Sequence, residues 1–454
     1  MGMPNLHRVL VLVLTALVLA PAALAQVPPK PAAVQRVVSP GGIEAWFLPD
    51  RSLPILAVAL SFPGGTAQDR AGKEGATDLM AQVMTEGAGD LDAEAFRARL
   101  EDLATSLSVS AGRDSLTVSF KTLTRYREEA LGLLRLALVR PRFDADALGR
   151  AKERQLSALA RSATAPGEIA RDLWWQAAFP DHPYGRTGDG TPASIAAIGR
   201  DDLAAAWRAQ VAREGVKIGV VGDIDAAELA PLLDSLLGEI PARGERAAVP
   251  PVAAAGAGDV LVVKRQQSQS VVVFGAPGLK RDDPDFEAAH LVNYILGGGG
   301  FSSRLMREVR EKAGLAYSVS TGLGTLDATG VVQGSVGTAN AAVARSIEMI
   351  RSELGRMAGE GPTAAELENA KGSVIDSFAL NLDSTGRIAG FLVSLQRDGL
   401  GIDYIEKRAE RFRRVTLADA RRAAGRVFDP ARLLFVVVGE PENLQATRPT
   451  PTAP

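Results

Sequence analysis

The chain has 454 residues, about three times a ~150-residue domain, so two to four domains are expected. Hydrophobic residues make up 46% and charged residues 23%, the balance of a globular core, and the net charge of −2 excludes a nucleic-acid binder that works through overall positive charge. Cys is absent, which excludes disulfides, thiolate metal sites, Fe–S clusters and a Cys nucleophile, and the three His (His7, His182 and His290) are too far apart for two to share a helical turn.

Residues 1–25 read as an export signal. His7 and Arg8 form a short basic start, Val9 to Ala20 is an apolar run of 12 residues, and Ala23-Leu24-Ala25 fits a small-x-small cleavage site. A membrane span needs ~20 apolar residues, so this run is too short to be one. The expectation is a chain exported to a bacterial periplasm and soluble after cleavage near Ala25, with no membrane span.

Ile55–Phe62 is strand-like and leads to a helix that ends at Glu86, then to a second helix around Ala93–Ala104. Leu107–Gly112 alternates as a strand, Tyr126–Leu138 is a long amphipathic helix, and Val216–Gly222 is a buried-strand run. Residues 241–258 are rich in Pro, Ala and Gly and read as a linker. The same order then returns. Ser270–Gly275 is strand-like, a helix ends at Leu296, another covers Ser303–Ala313, Tyr317–Gly322 alternates, Ala341–Met357 is amphipathic, and Leu433–Gly439 is a buried-strand run. Residues 445–454 read as a flexible tail.

Leu107-Ser-Val-Ser-Ala-Gly112 and Tyr317-Ser-Val-Ser-Thr-Gly322 match at an offset of 210, and the same offset superposes the two helices before each of them. Residues 26–240 and 259–444 are therefore two homologous domains. Strands and helices mix without a steady βαβ alternation, so the fold class is α+β: two mixed α/β sandwich domains that enclose a cavity between them.

Leu296-Gly-Gly-Gly-Gly-Phe-Ser-Ser-Arg-Leu-Met-Arg-Glu-Val-Arg-Glu-Lys-Ala-Gly-Leu-Ala-Tyr-Ser-Val319 resembles the C-terminal signature of the pitrilysin/insulinase family, which includes the mitochondrial processing peptidase and its bacterial relatives. His182-Pro-Tyr-Gly185, Gly401-Ile-Asp-Tyr404 with Val415-Thr416, and the two Val-Gly strand ends match as well, so the likeness runs from about Val37 to Glu442. It implies the LuxS/processing-peptidase-like metallohydrolase fold in each half.

That family holds zinc with His-x-x-Glu-His on a helix, where two His one turn apart grip the metal and the Glu polarises water. The matching helix is Gly75–Met84, and its three positions hold Asp78, Ala81 and Gln82. The resemblance places a third ligand, a Glu, near Ala158, yet no carboxylate lies between Glu153 and Glu168. No metal site is expected in this chain. Asp78 and Gln82 are hard oxygen donors, but two such donors are not a site. His182 is expected to be a structural hydrogen-bonder and His290 to be packed.

Arg310 and Tyr317 match the family's Arg–Tyr pair, while the first repeat has Leu100 and Leu107 at those places. The resemblance implies that the pair faces the zinc of an N-terminal domain. Gly297, Gly298, Gly299 and Gly300 with Phe301 form a flexible loop that opens a Ser-capped helix. It is not a Walker loop, because no Gly-Lys-Ser/Thr follows. In the non-catalytic subunit of the mitochondrial processing peptidase, the resemblance gives such a loop a part in substrate handling. Ile55–Phe62 aligns with the strand bordering the zinc helix, where an extended peptide is expected to pair with an exposed edge.

The expected function is the non-catalytic subunit of a heteromeric periplasmic zinc metallopeptidase. This chain would bind extended peptide and supply Arg310 and Tyr317, and a homologous partner would carry His-x-x-Glu-His and the zinc. The alternative is a peptide-binding scaffold or assembly protein with no part in catalysis. A self-sufficient hydrolase is disfavoured, since no Gly-x-Ser-x-Gly elbow occurs.

Overall fold

A computed structural model describes residues 33–450, and the expected export signal lies outside the described residues. The first half begins with β1 (Gln35–Val38), β2 (Glu44–Pro49) and β3 (Ile55–Pro63), followed by helices α1 (Ala76–Val83) and α2 (Ala93–Asp102). The hairpin β4 (Ser106–Ala111) and β5 (Ser115–Leu123) comes next. Helices α3 (Arg127–Val139), α4 (Ala145–Ser162), α5 (Pro166–Ala178), α6 (Pro192–Ala197) and α7 (Arg200–Gln210) then lead to β6 (Lys217–Gly222) and α8 (Ala226–Leu237).

The second half repeats this plan. It starts with β7 (Val260–Lys264), β8 (Gln269–Pro277) and α9 (Phe286–Asn293), followed by the hairpin β9 (Ala316–Thr325) and β10 (Gly330–Ala339). Helices α10 (Val343–Glu360), α11 (Ala364–Asp376), α12 (Thr385–Arg397), α13 (Tyr404–Arg414) and α14 (Leu417–Val427) precede β11 (Leu434–Gly439). The strand orders are β1-β2-β6-β3-β5-β4 and β7-β11-β8-β10-β9, so the sheets share one topology once β1 is set aside. In each, one parallel pair (β2 with β6, β7 with β11) sits in an otherwise antiparallel sheet. The α+β class and the two-domain repeat read from the sequence are both present.

β3 is not an edge. It pairs with β5 on one side and β6 on the other, and all but its terminal residues are buried. The free edge beside α1 is β4, whose residues alternate between exposed and half-buried. The expectation that Ile55–Phe62 is an exposed edge is therefore corrected: the exposed edge is Ser106–Ala111. The sequence carries the distinction: a continuous apolar run marks a strand covered on both faces, and strict alternation marks one that faces solvent.

Each sheet packs one face on helices of its own half. Leu79, Met80, Phe96, Leu134 and Leu203 join the first core, and Leu291, Val309, Ile350, Leu354 and Val427 join the second. The opposite faces are covered by an exchange. Helix α5 of the first half lies on β8 and β11, where Leu173 and Trp174 pack with Val273, Leu434 and Val436. Helix α12 of the second half lies on β3 and β6, where Ala389, Leu392 and Val393 pack with Trp46, Ala57 and Val221. Glycines in the strands admit these helices: a Cβ on Gly275 would stand 2.4 Å from the Trp174 ring, and one on Gly219 would stand 2.2 Å from the Ala389 carbonyl. Trp174 also donates its indole N–H to Leu434 O at 3.2 Å.

The segment 241–258 is bound along its length. Val252 N–H donates to Ala328 O, Ala255 N–H donates to Ala178 O, and Ala254 is buried. The chain end is held beside β7 as far as Thr450, through Thr447 N–H to Val260 O and Thr450 Oγ1 to Val262 O. Among the described residues, no helix is long and apolar enough to cross a membrane.

Candidate functional site

Helix α1 buries Ala76, Leu79, Met80 and Val83. This fixes Asp78 and Gln82 one turn apart, each only half-buried. Gln82 Nε2 donates to Asp78 Oδ2 at 2.9 Å and to Gln155 Oε1 at 3.2 Å. Gln155 Nε2 in turn donates to the Asp189 carbonyl at 2.9 Å. Burial raises the Asp78 carboxyl above its ordinary value; the Gln82 bond opposes this shift and the Asp189 charge adds to it.

This arrangement does not fit zinc. A zinc centre needs lone pairs converging on a cation, and here an amide N–H₂ group fills the space between the acceptors. Asp78 is the one carboxylate among these positions, and Ala81, buried at 1% exposure, offers no group to polarise water. Ala158, the place expected for the third ligand, lies one turn beyond Gln155 on α4 and is half-buried. Sequence reasoning missed Gln155 because it searched for a carboxylate. The available signal was a Gln on the stripe Ala147, Leu148, Ala151, Gln155, which is otherwise apolar and buried. Among the described residues, no three His, Asp or Glu side chains converge as metal ligands.

The second cluster gathers the residues expected from the signature. The chain from Tyr294 to Gly298 and again from Met306 to Lys312 is wound as wide π-helix, and the glycine loop lies between these segments. Such widened turns recur at functional sites. Gly297 is buried against Thr321 of β9, while Gly300 turns at φ +58 in open space. The Ser303 hydroxyl accepts from Met306 N–H at 3.4 Å, which is the expected cap. Arg310 sits between two rings, its guanidinium carbon 4.8 Å from the Phe301 centroid and 5.2 Å from that of Tyr317. Phe301 is 68% and Tyr317 78% exposed. The structure thus brings Phe301, Arg310 and Tyr317 together as an exposed aromatic–guanidinium sandwich.

His182 is structural: Nδ1 accepts from Tyr184 N–H at 3.1 Å and Nε2 donates to Pro250 O at 3.0 Å, which fixes the neutral tautomer. His290 packs against Phe412, and burial lowers its pKa to about 4. Tyr184 clasps the two halves. Its hydroxyl donates to Asp114 Oδ1 at 2.6 Å and accepts from Ala328 N–H at 3.1 Å, while Asp327 N–H donates to Asp114 Oδ2 at 2.9 Å. Burial and the Asp114 bond keep the phenol protonated.

Residues 50–191 match the model of the insulinase family (peptidase family M16), and residues 197–374 match that of the peptidase M16 inactive domain. The chain belongs to the M16 peptidase family. It is similar to a protein named "Non-peptidase homolog YmxG" from Helicobacter pylori, 28% identical over 326 residues that span 72% of this chain and 75% of the relative. It is also similar to an uncharacterized zinc protease of Streptomyces coelicolor, 30% identical over 51% of this chain and 52% of that one. Among solved structures, the peptidase M16 inactive domain from Pseudomonas fluorescens superposes with a TM-score of 0.84 at 27% identity, over 92% of this chain and 100% of that one. A protease from Helicobacter pylori superposes at 0.80 with 18% identity, over 90% and 99%, a likeness of fold. With its zinc-helix positions filled by Asp78, Ala81 and Gln82, the chain is a non-peptidase homologue within the family.

Proposed function

We propose that this chain is the non-catalytic subunit of a heteromeric zinc metallopeptidase exported to a bacterial periplasm. A homologous partner carries His-x-x-Glu-His and the zinc, and this chain supplies Arg310 and Tyr317 to that centre. The carrying observation is the exposure of Tyr317 beside Arg310 in a chain whose own zinc-helix positions hold an amide network. A phenol O–H donates to an oxyanion, and a guanidinium holds a peptide carbonyl. Phe301, at the end of the glycine loop, lies on Arg310; Gly297–Phe301 handles the substrate, and the free edges β4 and β9 offer backbone groups to an extended peptide.

The test is peptide cleavage by the mixed complex with its His-x-x-Glu-His partner. Arg310→Ala and Tyr317→Phe are each expected to lower kcat by about 10²–10³, the effect of removing one oxyanion donor. Unchanged turnover in both variants favours the second reading, a peptide-binding scaffold without a catalytic part. The amide network of Gln82 and Gln155 supports that reading, since it holds α1 and α4 together without a metal.

A further inference from the structure

A cavity of about 850 Å³ lies between α5, the segment 180–191 and Glu74. Its wall holds Arg113, Asp172, Trp175, Gln176 and Phe179. The Arg113 guanidinium lies on the Trp175 ring at 4.0 Å, and its Nε is buried without a hydrogen-bond partner. Gln176 Oε1 is likewise buried and unpartnered. Arg113 and Asp172 feel each other's charge, yet neither bonds to the other. The Arg113 guanidinium and the Asp172 carboxylate thus line one space, and neither has an ion-pair partner among the described residues. Half-buried charges left without a counter-ion favour a ligand that supplies both signs.

We infer that this cavity binds a short free peptide as a zwitterion. The peptide carboxylate accepts from Arg113. Its ammonium group meets Asp172. An apolar side chain lies against the edge of Trp175, whose ring already meets Arg113 at 4.0 Å and stacks on Phe179 at 5.2 Å. The volume exceeds that of one amino acid and suits roughly two to four residues, within the range of small-ligand pockets. An internal stretch of a long chain carries neither terminal charge and leaves Arg113 and Asp172 unmatched. The site uses no residue of Gly297–Tyr317, so it stands or falls apart from the subunit reading.

The probe is the dipeptide alanylphenylalanine, titrated into the full chain and followed by Trp fluorescence and calorimetry. The free dipeptide is expected to bind, with its N-acetyl and C-amide forms each at least tenfold weaker. Asp172→Asn is expected to abolish the difference between free and acetylated forms, and Arg113→Gln the difference between free and amidated forms. The blocked dipeptides make the same test on the unaltered chain, so a variant that fails to fold does not decide it. Equal binding of free and blocked forms overturns the inference, as does no binding of the free dipeptide at millimolar concentration.

Discussion

Asp172 illustrates how one residue sets a pH dependence. Burial raises its carboxyl from 3.8 to about 6, with the Asp189 charge adding. The folded chain therefore holds this proton more tightly than the unfolded chain between those values. The contribution to stability is full below about 3.8 and is lost as the pH rises through about 6. Asp172→Asn removes the titration. Its Tm is expected to exceed that of the parent by about 1–3 °C at pH 8 and to match it at pH 4, as scanning calorimetry at both pH values will report. A larger gain at pH 4 than at pH 8 contradicts this reasoning. Tyr184 works in the opposite sense, since each of its bonds is satisfied. Tyr184→Phe leaves the buried Asp114 and the Ala328 N–H each short of a partner, and urea unfolding is expected to show a loss of about 1–3 kcal/mol. At this scale the sequence was legible where the signal is local. Asp78, Ala81 and Gln82 stand in a single helix whose spacing can be checked by eye. Gln155 is distant in the chain, and its meeting with Gln82 depends on how α4 packs on α1.

Among the elements, the positions of helices and strands were largely legible, and their neighbours were less so. Val216–Gly222 and Leu433–Gly439 read as buried strands because they are short, β-branched and apolar, and both are interior strands. The misplaced edge at Ile55–Phe62 came from aligning a strand with a functional role before asking what covers it. The exchange of α5 and α12 has no local signature, because an amphipathic helix shows which face it buries and not which sheet receives it. Gly275 is the place to test the exchange. In Gly275→Ala, the new methyl group meets the Trp174 ring at 2.4 Å and the Val332 carbonyl at 2.6 Å, and neither neighbour is a flexible side-chain end. A loss of about 1–3 kcal/mol is expected from overpacking, with a change in Trp fluorescence as α5 lifts from β8. An unchanged Tm would show that this contact is looser than its geometry.

For the whole molecule, the exchange makes the two repeats interdependent. Each supplies a face of the other's core, and the Tyr184 clasp and the bound segment 241–258 add further ties. Residues 33–240 expressed alone are expected to be insoluble or molten, because Trp46, Ala57 and Val221 lose their cover. The intact chain is expected to unfold in one transition, with Trp fluorescence and far-UV circular dichroism tracing the same curve. Two separated transitions would mean that each half retains a core of its own.

The order in which the chain emerges, from the ribosome or from an export channel, bears on the same exchange. Strand β6 is complete at Gly222, but the helix that shelters it does not begin until Thr385, roughly 160 residues later. A chain that has emerged only as far as Gly222 presents a greasy surface to whatever chaperone receives it, and a fragment ending at Gly222 should aggregate faster on refolding than the full chain.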